Sequence, residues 1–450
     1  MDYEPVVRRL AEIVGPKYVS QQPFVLRAYS RDFGFMPPSM PSVVVRPATT
    51  EEIVGIVKVA NEFKVPVIPR GGGSAQEAGA CAPDGRGGII LETLRMNKIL
   101  ELDEQNGTVT CQAGITYVHL MDTLERAGWK IGIAPSGAMA GTPGAHIARP
   151  GVGWGNIKYV SSGDQVLGLK VVLPQGDVVN TGTSANPNSD VFFRYGLGAD
   201  LTGLFVGSEG AYGIMTEATL RMYPWPEKTY LERYKTANLT EAIAIFRELA
   251  LNVLVVYVSV PVIRPGQLII FDINVEGDAS EVQARVEKIR RIIRKYPSVE
   301  FVGPEGPQRF WDNRWFLTGE EFKEGTAGAV NYFLPFDKLE MATWEMKAIM
   351  DKHGIKTYAQ QMFPEPSGSE HVSLMFHHPD DEVERAKVWD ATNEMMDRAL
   401  ALGGAPYSKG RQWAPYLQKH MQDTGYWRLQ KAIKDLLDPN YIMNPGVIGL

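Results

Sequence analysis

The chain has 450 residues, 44% of them hydrophobic and 22% charged, a length that exceeds one ordinary core and implies two domains of soluble globular type. A net charge of −6 argues against nucleic acid as a partner, and no apolar run reaches the roughly 18 residues of a membrane span. Two cysteines and an acidic, amphipathic N-terminus suit a reducing compartment, so a cytoplasmic protein without a membrane span is expected.

In chain order, VVVR at 43 to 46 reads as a strand, followed by a helix capped by Thr49 with Glu52 as its capping-box partner and a stripe of Ile53, Ile56, Val57, Ala60 and Phe63. The next strand, VPVIP, runs into PRGGGSAQEAG at 69 to 79. Three successive glycines can turn their N–H groups toward an anion, so Gly71, Gly72 and Gly73 read either as a phosphate cradle or as a surface turn. On the first reading the space beside Gly72 belongs to the ligand. A hairpin around Asn106-Gly107 follows, then a helix from about Tyr117 to Gly128, and a second hairpin around Gln175-Gly176.

Between the hairpins lies SGAMAGTPGAHIARPGVGWGN, too dense in glycine to hold regular structure unless something packs on it. A third cluster follows at Gly207, Gly210 and Gly213. Three glycine-rich segments in one half of the chain point to an extended ligand touched at several places.

After residue 225 the pattern becomes strand, helix, strand, strand, helix, strand, and the same order is legible again from VNYFLPF to the helix beginning near Asp381. The expected fold class is α+β, with a first domain over 1–225, a ferredoxin-like α+β cap over 226–430, and a tail over 431–450 that returns to the first domain.

The segments VVVRPATTEEIVGIVKVANEFKVPVIPRGGGS, GDQVLGLKVVLPQGDVVNTG, RYGLGADLTGLFVGSEGAYGIMTEATLRMYPWP and DPNYIMNPG, in this order, resemble the FAD flavoproteins of the vanillyl-alcohol oxidase and p-cresol methylhydroxylase (PCMH) type, which include FAD-linked glycolate oxidase and D-lactate dehydrogenase subunits. The resemblance implies a PCMH-type FAD-binding domain with Arg70, Gly71, Gly72, Gly73 and Ser74 on the pyrophosphate. It places Pro135, Ser136, Gly141 and Ala145 along the flavin, Gly213, Ile214 and Thr216 at the adenine-ribose side or ring edge, and Asn444 as a further contact. The glycine loop carries no histidine to tether the flavin, so FAD is expected to be noncovalent.

Within the family, the 2-hydroxy-acid branch holds a divalent metal with two histidines and a glutamate. The matching positions here are Pro364, His371 and Lys409, so no metal is expected. The branch acting on para-substituted phenols or aromatic alcohols matches the cap segments better and uses a tyrosine and a cation, for which GGAPYSKGR offers Tyr407, Lys409 and Arg411. His371 is the family-matched candidate base.

The reading is an oxidoreductase that moves hydride from a small hydroxylated substrate to flavin N5, phenol-type in first place and 2-hydroxy-acid-type as the alternative. A flavin-binding electron-transfer subunit is the alternative of another class. The acceptor would be oxygen or a redox protein, and homo- or hetero-oligomers are compatible with the family.

Overall fold

A computed structural model describes residues 2–264, 266–312, 326–378 and 381–450. Its N-terminal part holds two sheets. In the first, Val43–Val45 and Val67–Arg70 flank Ile89–Glu92, both parallel to it, and Val19–Ser20 closes one edge. The helix Thr50–Phe63 makes the crossover and buries Ile53, Ile56, Val57 and Ala60 at its core face. Thr49 caps it by accepting from the Glu52 N–H at 3.2 Å, while the Glu52 carboxylate reaches back to the Ala48 N–H at 2.6 Å, one residue beyond the expected capping box.

The second sheet is antiparallel and centred on the long strand Ile214–Pro224, which pairs with Thr108–Gln112 and Val166–Val172. Both expected hairpins are present there, as Ile99–Asp103 with Thr108–Gln112 and Val166–Val172 with Val178–Asn180.

The strand ending at Pro224 is followed by the first cap strand at Lys228. From there the two strand-helix-strand-strand-helix-strand units run in succession, and Tyr257–Arg264 of the first lies beside Tyr358–Glu365 of the second. The units therefore share one eight-stranded sheet, whose helices bury an apolar core on one face. A helix at Glu305–Asp312 has no counterpart in the sequence reading.

The chain comes back to the N-terminal sheets inside the helix Gly425–Leu437, whose Ile433 and Leu437 pack on the second sheet's core. Buried Lys434 donates to the carbonyls of Ala211 and Met443 and to Asp438, which in turn accepts from the N–H groups of Ile442 and Met443. Val67 then brackets the tail, donating to the Ile442 carbonyl at 2.7 Å and accepting from the Asn444 N–H at 2.8 Å. This is how the chain's end comes to stand behind the glycine loop.

Candidate active site

A cavity of about 760 Å³ lies between the two parts of the chain, a size suited to a cofactor and a small substrate. One wall is made of the glycine segments: Arg70 to Glu77, Pro135 to Ala145 in part, Arg149, Trp154, Glu209, Gly213 and Ile214 all line it. The facing wall is the open face of the cap sheet, with Tyr257, Ser259, Asn331, Gln361, Phe363, Glu370, Val372 and Leu374, joined by Tyr407 and Ser408.

The glycine triplet owes its composition to protein neighbours. A Cβ on Gly71 would stand 2.5 Å from Thr142 Oγ1, one on Gly72 1.9 Å from the Ala140 carbonyl, and one on Gly73 2.3 Å from the Arg70 guanidinium, with Gly73 also at φ +71°. The space beside Gly72 is thus filled by the second glycine-rich segment rather than reserved for a ligand. Among the described residues, no protein acceptor takes the N–H groups of Gly71, Gly72 or Gly73. A loop held this closely, with its donors unspent, fits a pyrophosphate.

Arg70, Gly71, Gly72, Gly73, Ser74, Pro135, Ser136, Gly141, Ala145, Gly213 and Ile214 all face the cavity. Thr216 does not, because its hydroxyl is spent on the Lys170 carbonyl and its side chain is fully buried in the sheet. Asn444 stands behind the wall, donating to the carbonyls of Gly79 and Glu209 and accepting from Arg411 at 2.7 Å.

Of the four candidate catalytic residues, Tyr407 alone lines the cavity. Lys409 turns its ammonium to the Gly207 carbonyl at 2.9 Å, while its N–H and that of Gly410 hold the two oxygens of Glu209. Arg411 is a clamp that binds the carbonyls of Ala78, Gly79 and Pro445 and the Asn444 side chain, tying tail to glycine loop. His371 points to the opposite face of the cap sheet, its ring tilted against that of Tyr332 and 3.4 Å from Thr343 Oγ1, and burial lowers its pKa to about 3. Pro364, His371 and Lys409 therefore do not converge.

The geometry assembles a different set around Tyr407. The Arg149 guanidinium lies over the Tyr407 ring at 5.1 Å, pairs with Glu77 at 3.0 Å and donates to Ser408 Oγ at 3.1 Å. Among the described residues its Nε, shielded from solvent, has no hydrogen-bond partner. Burial works against the arginine's charge, but Glu77, Tyr407, Glu209 and Asp32 outweigh it and strengthen the protonated form. Burial pushes the Tyr407 phenol up against the pull of Arg149. Glu370 is raised to about 8, mainly by burial and further by Glu77, against the opposing influence of Arg149 and of a hydrogen bond with Asn331.

His146 also lines the cavity, with Nδ1 engaged by Tyr117 and Nε2 by the Val152 carbonyl, and burial lowers it to about 3. Trp154 of the glycine-segment wall meets Tyr257 and Phe363 of the cap wall in an aromatic surface, with ring centroids 4.6 Å apart for Trp154 and Tyr257 and 6.3 Å for Tyr257 and Phe363.

Sequence reasoning passed over Arg149, Glu77 and Glu370. For Glu370 a signal exists in the two-residue alternation of EHVSLMF, which puts Glu370, Val372 and Leu374 on one face. Arg149 and Glu77 sit in irregular segments where no periodicity applies.

Residues 41–182 match a model described as FAD binding domain, and residues 259–448 match one described as FAD linked oxidases, C-terminal domain. The chain is 30% identical over 470 aligned positions to the glycolate oxidase subunit GlcD of Bacillus subtilis, covering 98% of this chain and 96% of that one. The chain belongs to the FAD-linked oxidase family. It is thus an FAD-linked oxidase or dehydrogenase with the PCMH-type fold that its segments resemble. The mitochondrial D-lactate dehydrogenase [cytochrome] of Arabidopsis thaliana is 28% identical, over 91% of this chain and 73% of its own. In structure the chain follows p-cresol methylhydroxylase with substrate bound, at a TM-score of 0.89 and 21% identity over 100% of this chain and 97% of that one, a likeness of fold. Among the described residues, no helix is long and apolar enough to cross a membrane.

Proposed function

We propose that this protein dehydrogenates the CH–OH group of a small 2-hydroxy acid, with FAD held noncovalently in the glycine-lined part of the cavity. This reverses the order given by the sequence alone, which put phenols first. The relatives named above favour the hydroxy acid, and one observation carries it in the site: Arg149 brings a guanidinium, with its side chain 20% exposed, to the cavity wall, a group suited to a carboxylate.

FAD would supply the two-electron acceptor for the hydrogen on the substrate carbon. The chain's own residues would bind and orient. Gly71, Gly72 and Gly73 would donate to the pyrophosphate, Arg149 and Ser408 would hold the substrate's anionic end, and Phe363, Val372 and Leu374 would exclude water from its other side.

A second reading keeps the phenol or aromatic alcohol, because Trp154, Tyr257 and Phe363 offer an aromatic wall and a Tyr407–Arg149 pair could hold a phenolate. Anaerobic titration of the flavin separates the two. Bleaching by D-lactate or glycolate supports the acid reading; bleaching by vanillyl alcohol or 4-alkylphenols alone overturns it. Acid precipitation tests the cofactor's attachment, since flavin that stays on the precipitated chain would show a covalent link.

A further inference from the structure

Building on the CH–OH reading, we propose that Glu370 is the group that accepts the substrate's hydroxyl proton. The argument is one of position and of free lone pairs. Among the described residues, seven titratable groups other than arginine line the cavity: Asp32, Glu77, His146, Glu209, Tyr257, Glu370 and Tyr407, of which Tyr257 belongs to the aromatic surface with Trp154 and Phe363. Asp32 accepts from the N–H groups of Gly34 and Ala78, one on each oxygen. Glu209 accepts from those of Lys409 and Gly410, again one on each. Glu77 is in an ion pair with Arg149. Both ring nitrogens of His146 are engaged. The Tyr407 phenol is pushed up by burial against the pull of Arg149.

Glu370 differs from all six. It lies on the cap wall, opposite Phe363, with the amide of Asn331 as its hydrogen-bonding neighbour. The charged or titratable groups that bear on it are Arg149, Glu77, Tyr407 and Glu365. A carboxyl whose ionisation lies near the working pH is matched to proton transfer, and the balance of burial against Arg149 puts Glu370 there.

In the step, the substrate O–H bond breaks and its proton passes to a Glu370 carboxylate oxygen. The electron pair left on the substrate oxygen forms the C=O bond. The hydrogen on carbon departs with two electrons to FAD, the oxidant that the family's activity supplies. Protons, electrons and charge balance.

The test uses the flavin-loaded wild type with Glu370→Gln and Glu370→Asp, and D-lactate, glycolate and 4-hydroxybenzyl alcohol as probes. In wild type the anaerobic bleaching rate should rise with pH through about 8. Glu370→Gln should keep its flavin content and visible spectrum, lose the inflection and bleach about 100-fold more slowly or worse, with partial recovery in Glu370→Asp. Infrared titration gives a second readout independent of turnover: a protonated-carboxyl band present in wild type at pH 6 and absent from Glu370→Gln. A variant that retains the wild-type rate or inflection overturns the proposal. If only 4-hydroxybenzyl alcohol bleaches the flavin, the acid reading fails while the same comparison of variants still judges Glu370 on that alcohol. If no probe bleaches it, the infrared band decides: ionisation near pH 8 supports the proposal and ionisation below pH 6 overturns it.

Discussion

Phe363 and Glu370 stand directly opposite each other across the hairpin of Tyr358–Glu365 and Gly368–His377, while His371 stands opposite Met362 on the other face. Since strand neighbours alternate faces, a shift of one position decides which residues reach the cavity. The histidine that matches the family pattern is a core residue. Its replacement by asparagine should cost about 1–3 kcal/mol of stability, read as a lower urea midpoint, and leave the rate of flavin bleaching unchanged. Bleaching should also be insensitive to EDTA, because neither Pro364, which has no side-chain donor atom, nor Lys409 joins His371 in a ligand set. A chelation-sensitive wild type would restore a metal to the site.

Arg149 and Glu77 make a pair at 3.0 Å in which the carboxylate is buried and the guanidinium partly so, with side-chain exposures of 6% and 20%. Arg149→Met removes one charge and strands the other, which should destabilise the protein by about 3–5 kcal/mol. Glu77→Gln combined with Arg149→Met should recover most of that loss, because no uncompensated charge remains. The two variants should nevertheless agree in failing to bind D-lactate, measured by perturbation of the flavin spectrum. Binding in the double variant would move the carboxylate site away from Arg149.

Gly72→Ala is expected to lose flavin and stability together. Its Cβ would meet backbone, the Ala140 carbonyl at 1.9 Å, so one of the two glycine segments must shift. Gly196 is the control: it also has a positive φ, +111°, but open space around it, so alanine there should cost about 1 kcal/mol and leave the flavin in place. Full flavin content in Gly72→Ala would show that the contact between the segments does not shape the site.

The parts of this architecture written in local patterns were legible in the sequence. Thr49 marks a helix start, Asn106-Gly107 and Gln175-Gly176 mark hairpins, and the repeated order of cap elements comes through its periodicities. That the two cap units fuse through Tyr257–Arg264 and Tyr358–Glu365 is a pairing between strands about a hundred residues apart, which no local pattern carries. The composition of the cavity wall was hidden for a related reason. Tyr407 was found because it sits in a recognisable motif, whereas Lys409 and Arg411 in the same motif turn away to satisfy carbonyls of the first domain. Arg149 acquires its role only when Glu77 and Ser408, 72 residues before and 259 after it, are folded against it.

Glu365 allows the junction between the two parts to be tested by pH. Asn156, in the first domain, donates to the Pro364 carbonyl and to Glu365 Oε1 at 2.8 Å each, so this cap residue helps to hold the domains together. Burial raises the Glu365 carboxyl from 4.5 to about 9, with Glu370 and Asp164 adding to the effect and the Asn156 hydrogen bond opposing it. A folded-state pKa above the unfolded one means that the folded protein binds the extra proton. The stability this confers is complete below about pH 4.5 and is lost as pH rises toward 9. Glu365→Gln keeps a carbonyl oxygen to accept from Asn156 and cannot ionise. The variant should therefore match wild type at pH 5 and exceed it at pH 8.5, by an amount on the order of a few kcal/mol in urea unfolding. Asp32, raised to about 6, gives both proteins a common decline that cancels in the comparison, whereas that of Glu370, raised to about 8 and coupled to Glu365, cancels only in part. Parallel urea midpoints from pH 5 to 9 would show that Glu365 is not the group that weakens the junction.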